Sequence, residues 1–346
     1  MLKKVENILM ILGHSAGVGD LLRASASWRA LKNAYPDAHL HLLFMTKDPG
    51  YVSERLISHH HLLSSFHTID KRIRNLQDWK RMLREFSQVV ERIKPDLIID
   101  FEPHGLKSSV LCLYARIRWG IPTVGVDEFP LRGLFYQIRA PSSRKVLKTE
   151  DYTDRFFVVL KALGIERRGI PIELEETEEA VAFRKNLRKR LGIEESTPLI
   201  GLNIGCGTPD ALWKRPPIPL LRKLMEKIQR AMKGHLLLTG ASFEKDINEE
   251  FLKGYPLPAT DMAGLTDILE LPGLIRSCQL FVSTDSGPYH MSVALRVPTL
   301  AIFVKPFPSS YHHHPWVRIG VLQREEDIPQ LLEKAMELLK FSQKEL

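Results

Sequence analysis

The sequence has no apolar run near the ~20 residues that would span a bilayer. Its first hydrophobic stretch, Ile8-Leu-Met-Ile-Leu12, stops at Gly13. The lysines ahead of it give a faint look of a signal peptide, but the stretch is shorter than the h-region of about 7–15 residues. It reads as a buried strand, and the chain is expected in the cytoplasm. Cysteine is scarce. Cys112, Cys206 and Cys278 are odd in number and widely spaced, which excludes a disulfide scaffold and suits a reducing compartment. The triplets at 59–61 and 312–314 are all histidine but lack carboxylate or cysteine partners at ligand spacing. They read as loop residues, and no metal site is expected. No Gly-x-x-x-x-Gly-Lys-Ser/Thr occurs, so P-loop chemistry is excluded. Gly17-Val18-Gly19 and Gly205-Cys206-Gly207 graze the dinucleotide fingerprint but lack its third glycine, so a nicotinamide cofactor has little support.

What is present is positive charge in one half. The formal net charge is +8, from 49 Lys and Arg against 41 Asp and Glu. Residues 1–172 hold 27 basic against 18 acidic residues, and residues 173–346 hold 22 against 23. Such asymmetry suits an anionic partner (nucleic acid, a phosphorylated glycan or a lipid surface), or else a solvated face that aids solubility.

Apolar runs alternate with helical patterns throughout. Strands are expected at 8–12, 39–44, 96–100 and 123–126, with helices at 20–34, 76–93, 108–118 and 152–163 between and after them. Residues 127–150 read as irregular. The charge sign flips after 169, which places a domain boundary near 172. The alternation then restarts, with strands at 198–204, 235–239, 279–284 and 299–303. Helices are expected at 178–191, 218–232, 244–253 and 268–277, from 288 onward, and at 328–341. Short strands that read as buried on both faces and alternate with helices imply parallel sheets. The expectation is two doubly wound α/β domains, 1–172 and 173–346, facing each other across a cleft. Ligands of such sheets sit beyond the carboxyl ends of the strands.

Three segments carry candidate chemistry. Gly13-His14-Ser15-Ala16-Gly17 matches the Gly-x-Ser-x-Gly nucleophile elbow, but that fold draws its oxyanion loop from an earlier strand, and no strand pattern precedes Ile8. The serine hydrolase is a distant alternative. Residues 13–19, with Ser15, Gly17 and Gly19, read better as a turn that lets a ligand approach backbone at a helix N-terminus. Asp20 follows it, either as a helix-stabilising acid or as a base that takes a proton from a hydroxyl. In the second half, the loop from Gly205 to Arg215 ends in Lys214 and Arg215, cations that suit a pyrophosphate, or it is an ordinary exposed loop. In Ser283-Thr-Asp-Ser-Gly-Pro-Tyr-His290, the Ser286 and Gly287 amides open a helix toward an anion, with Pro288 tolerated in its first turn and His290 one turn in.

Taken together and in order, these segments resemble glycosyltransferase family 9, the ADP-heptose:lipopolysaccharide heptosyltransferases. The likeness rests on Ser15–Asp20 with its continuation to Pro36, on Asp96-Leu-Ile-Ile-Asp100 with Lys107-Ser-Ser, and on the run from Asp154 to Ile165. It continues through Lys214-Arg-Pro, Gly240-Ala-Ser-Phe-Glu244, Met262-Ala-Gly-Leu-Thr266 and Asp285-Ser-Gly-Pro-x-His290. The resemblance implies a GT-B fold with the acceptor on the N-terminal domain and the nucleotide sugar on the C-terminal one. It implies an inverting, metal-independent transfer of heptose from an ADP-linked donor, without a cofactor, to a phosphorylated lipid A and core oligosaccharide acceptor. It makes Asp20 the general base and Lys214 the cation facing the leaving diphosphate. Thr208, Asp285, Ser286, Gly287 and His290 fall on the donor side, and Glu244, Met262 and Gly264 at the nucleoside. Such a protein rests peripherally on the inner leaflet and binds no nucleic acid. The final helix, 328–341, is expected to return to the N-terminal domain. The sequence departs from the family pattern at Leu12-Gly13-His14, where many relatives carry an arginine. It departs again at Pro216-Pro217, where Trp-Pro is common, and at 303–316, which lacks the usual glycine-containing ending.

Overall fold

The computed structural model describes residues 5–13, 17–47, 49–102, 105–126, 131–141, 151–205 and 213–345. The chain divides into two compact units, Met1–Ile172 and Glu173–Leu346.

In the first unit, strands β1 (Asn7–Leu12), β2 (His39–Thr46), β3 (Ser65–Asp70), β4 (Leu97–Asp100), β5 (Thr123–Val126) and β6 (Ile138–Ala140) form one sheet in the order β3-β2-β1-β4-β5-β6. Every pairing is parallel. Helices α1 (Val18–Ala34), α2 (Val52–Ser58), α3 (Leu76–Ile93), α4 (Leu106–Trp119) and α5 (Asp154–Lys161) complete it. On α3 the buried residues Met82, Phe86, Val90 and Ile93 recur every three or four positions, the spacing of one helical face. They pack with Leu9, Ile11, Leu43 and Ile98 of the sheet. Asn75 caps that helix by accepting from the Asp78 amide at 3.0 Å, a bond of the kind worth ~1 kcal/mol.

The second unit repeats the topology. Strands β7 (Leu199–Asn203), β8 (His235–Thr239), β9 (Ala259–Asp261), β10 (Leu280–Ser283), β11 (Thr299–Phe303) and β12 (Val317–Val321) run β12-β11-β10-β7-β8-β9, again all parallel. Helices α6 (Glu178–Leu191), α7 (Ile218–Met232), α8 (Lys245–Leu252), α9 (Leu271–Arg276), α10 (Gly287–Ala294) and α11 (Ile328–Glu345) accompany it. The apolar face of α11, with Leu331, Ala335 and Leu338, is buried with Leu221, Leu224 and Ile228 of α7 against Ile200, Leu300 and Ile302 of the sheet. The apolar stripe of this last helix covers the second sheet. Strand pattern also extends beyond the sequence reading. β3, β6, β9 and β12 were not anticipated, and β6 falls inside the stretch read as irregular.

A buried polar node closes the carboxyl end of β4. The Tyr136 hydroxyl donates to Asp100 Oδ2 at 2.6 Å, and Arg132 lies 3.4 Å from the same oxygen. Arg132 Nε also donates to Ser109 Oγ at 2.8 Å. Tyr136 reaches inward because Gly125 lies under its ring: a Cβ there would come within 2.4 Å of it. Burial pushes the Asp100 carboxyl up to about 6, against the opposing pull of the Arg132 guanidinium and the Tyr136 hydroxyl. The folded state therefore holds this proton more tightly than the unfolded chain. Its contribution to stability is full at low pH and is lost as pH rises from the ordinary carboxylate range through about 6. Carboxyl titration followed by NMR should place the Asp100 midpoint near 6, and Asp100→Asn should remove that limb from the stability profile. A midpoint in the ordinary carboxylate range would refute the assignment.

Candidate active site

In each sheet the strand order reverses between the first and fourth strands of the unit, so the loops leaving their carboxyl ends diverge and open a crevice. In the second unit these strands are β7 and β10, paired with Leu202 opposite Val282 and Asn203 opposite Ser283. Side chains stitch their ends together. Ser286 Oγ donates to Asn203 Oδ1 at 2.8 Å, and Ser283 Oγ lies 3.1 Å from Ser286 Oγ. Thr284 Oγ1 donates to the Gly205 carbonyl at 2.6 Å, and Asn203 Nδ2 donates to Thr239 Oγ1 at 3.2 Å. All of these groups are buried or nearly so. Ser286 is the N-cap of α10, so this network fixes where the helix begins.

Asp285 hangs from that junction. Its Oδ2 lies 2.6 Å from Lys214 Nζ, with side-chain exposures of 7% and 25%. The pair is solvated on the lysine side only. Asp285 Oδ1 is 4.0 Å from His290 Nε2, and His290 Nδ1 lies 2.9 Å from His312 Nε2. A carboxylate beside Nε2 favours the proton on that nitrogen, which makes His312 the donor to Nδ1. His312 is buried at 1% exposure. His312 lies in the loop between β11 and β12, as expected, and is buried there against His290. No spacing signal marks His312, because the contact joins a helix to the segment between β11 and β12. Among the described residues, no group of three or more His, Cys, Asp or Glu side chains is arranged to hold a metal ion.

The remaining predicted residues of this half line the same carboxyl edge. Glu244 is buried beside Gly205: a Cβ on Gly205 would fall 1.7 Å from Glu244 Oε1. Glu244 Oε2 accepts from the Ala241 amide at 2.9 Å. The loops after β8 and β9 are joined by the Gly264 amide donating to the Gly240 carbonyl at 2.9 Å, and Gly264 takes φ +71°, with Ser242 close beside it. Met262 is buried in that joint. A continuous row therefore runs from Met262 and Gly264 through Glu244 and Gly205 to Asp285, Lys214 and His290. Thr208 and Cys206 lie outside the described residues.

In the first unit, Gly17 is the N-cap of α1, and Gly19 and Asp20 stand in its first turn. Asp20 is half-buried, with Oδ2 lying 3.8 Å from where a Gly17 Cβ would be. The backbone of Gly13 is held from both sides: its amide donates to Glu102 Oε1 at 3.0 Å and its carbonyl accepts from Lys71 Nζ. Lys107 Nζ donates to the Lys71 carbonyl at 2.6 Å. Burial lowers the Lys71 ammonium pKa, with Lys47 and Lys107 adding to the effect and Glu102 opposing it. Glu102 and Lys71 were not singled out in the sequence; Lys71 follows an edge strand whose pattern is itself weak. Ser15, with its elbow motif, lies outside the described residues.

A sequence profile described as glycosyltransferase family 9 (heptosyltransferase) matches residues 83–323. The chain belongs to glycosyltransferase family 9. It is similar to lipooligosaccharide heptosyltransferase 2 of Campylobacter jejuni, 25% identical over 147 residues, which are 42% of this chain and 46% of that protein. The chain spans about half the length of the curated relatives it matches. In structure it resembles the family 9 glycosyl transferase of Veillonella parvula, with a TM-score of 0.77, 19% identity and 99% of each chain covered. It also resembles the E. coli ADP-heptose lps heptosyltransferase II, with a TM-score of 0.69, 18% identity, and 97% of this chain and 99% of that one covered. At such identities the likeness is one of fold, and that fold is GT-B, with two Rossmann-like units. The family 9 match takes in every residue that the sequence resemblance assigns to the donor, while Gly17, Gly19 and Asp20 precede it.

The contact between Gly205 and Glu244 is testable alone. Gly205→Ala should destabilise the protein by about 1–3 kcal/mol, the cost of overpacking a closed site. Glu244→Ala should recover much of that loss when combined with it, because the two changes share one contact. Additive thermal unfolding shifts in the double variant would show that Gly205 is not constrained by Glu244.

Proposed function

We propose that this family 9 protein is an inverting glycosyltransferase that needs no metal and moves heptose from an ADP-linked donor to a lipopolysaccharide inner-core acceptor. The observation that carries the reading is the Lys214–Asp285 pair at the strand-order reversal of the second unit, inside the stretch that matches the family. The curated relatives named as heptosyltransferases support the sugar and the acceptor class. The excess of basic residues in 1–172 suits an acceptor carrying phosphates and a peripheral seat on an anionic membrane face. No helix among the described residues is long and apolar enough to cross a membrane.

In the reaction, the Asp20 carboxylate takes the proton of an acceptor hydroxyl as that oxygen attacks the anomeric carbon. The bond from that carbon to the diphosphate oxygen breaks with inversion, and the nucleoside diphosphate leaves with the electron pair. Lys214 and the amides that open α10 face the leaving charge, a task for preorganised donors in a site of low polarity. Glu244, Met262 and Gly264 hold the nucleoside, and Asp285 contacts the sugar.

Thermal unfolding with ADP, UDP, GDP or NAD tests the donor. Ligand at about 100 times its Kd should add ~2.7 kcal/mol. The expected result is a rise in Tm with ADP, reduced in Lys214→Ala. Asp20→Asn should keep that rise and lose transfer by orders of magnitude. Selectivity for UDP or GDP would replace the ADP donor, and near wild-type transfer by Asp20→Asn would remove the base assignment.

A further inference from the structure

Resting on the donor reading above, we infer that Lys305 is a second diphosphate-binding cation, held in place by Trp213, and that it gives the site its preference for nucleoside diphosphates over monophosphates. Lys214 is charge-matched by Asp285 at 2.6 Å, so that pair contributes no net charge to the crevice. A diphosphate carries more negative charge than one lysine already shared with a carboxylate can balance. Lys305 lies two residues past the end of β11, the strand beside β10. It lines the same crevice as Trp213, Lys214, Asp285 and Phe307.

The Trp213 ring organises both cations. Lys305 Nζ sits 4.5 Å from its centroid and Lys214 Nζ 5.7 Å from it. Phe307 meets Trp213 edge-on at 6.4 Å and is itself 5.7 Å from Lys214 Nζ. An aromatic face orients an ammonium without neutralising it, unlike the carboxylate that holds Lys214. Lys305 is exposed, so its charge stays available to an arriving anion. The two arms have different partners: a carboxylate that a sugar displaces or contacts for Lys214, and a ring that leaves the positive charge whole for Lys305.

Isothermal titration of the full chain with ADP, UDP, GDP and the matching monophosphates tests this. Lys305→Met should weaken the preferred diphosphate by about tenfold, the scale of one charge-assisted hydrogen bond, and the monophosphate by less than about twofold. The loss should shrink as salt is raised, and Lys305→Arg should restore most of the affinity. Trp213→Leu should give a partial loss with the same selectivity. Equal diphosphate affinity in Lys305→Met and wild type would overturn the inference while leaving the donor reading intact, as would equal losses for mono- and diphosphates. Failure of the wild-type protein to bind any of these nucleotides would overturn the donor reading and this inference with it.

Discussion

The whole site hangs on the reversal of strand order between β7 and β10. Parallel strands that are neighbours in space but separated in sequence send their connections to opposite faces, leaving backbone ends without a covering loop. Here those ends are tied by Ser286 to Asn203 and by Thr284 to the Gly205 carbonyl. Because these bonds are buried and tie the residues leaving β10 to the end of β7, the start of α10 and the placement of Asp285 follow from the register of the sheet. Lys214 and His290 then take positions relative to a carboxylate that cannot move far.

The two units share one topology and solve the same position differently. Asp100 ends β4 opposite Ile11, and Ser283 ends β10 opposite Asn203. In the first unit this strand end carries a buried carboxyl satisfied by Tyr136 and Arg132, a costly arrangement that holds only while all partners are present. In the second unit it carries neutral hydroxyl and amide groups. In the second unit the charge stands two residues past the strand end, at Asp285, in the loop that faces the crevice, where a ligand can meet it.

What could be read from the sequence follows a physical rule. All interior strands of both sheets were anticipated, because strands buried on both faces show as short continuous apolar runs. The four that escaped, β3, β6, β9 and β12, are the edges of the two sheets. Their residues are largely half-exposed, as in the uniformly intermediate β9. Polar side chains dilute the pattern there, and a three-residue strand such as β6 or β9 has no period to detect. The same limit hid Lys71, which directly follows β3.

By itself, the sequence determined the parallel α/β class, the change of unit near residue 172, and which motifs end on the carboxyl edges of strands. Hydrophobic run length and the charge and glycine content of short segments are local properties, legible without coordinates. Only the tertiary structure decided which side chains meet. Lys214 pairs with Asp285 across 71 positions of chain, His290 bonds His312 across a helix and a strand, and Lys305 lies over Trp213. The closing helix covers the second sheet because its apolar stripe packs with α7 there. These pairings depend on sheet register and loop path, which no periodicity within a segment encodes.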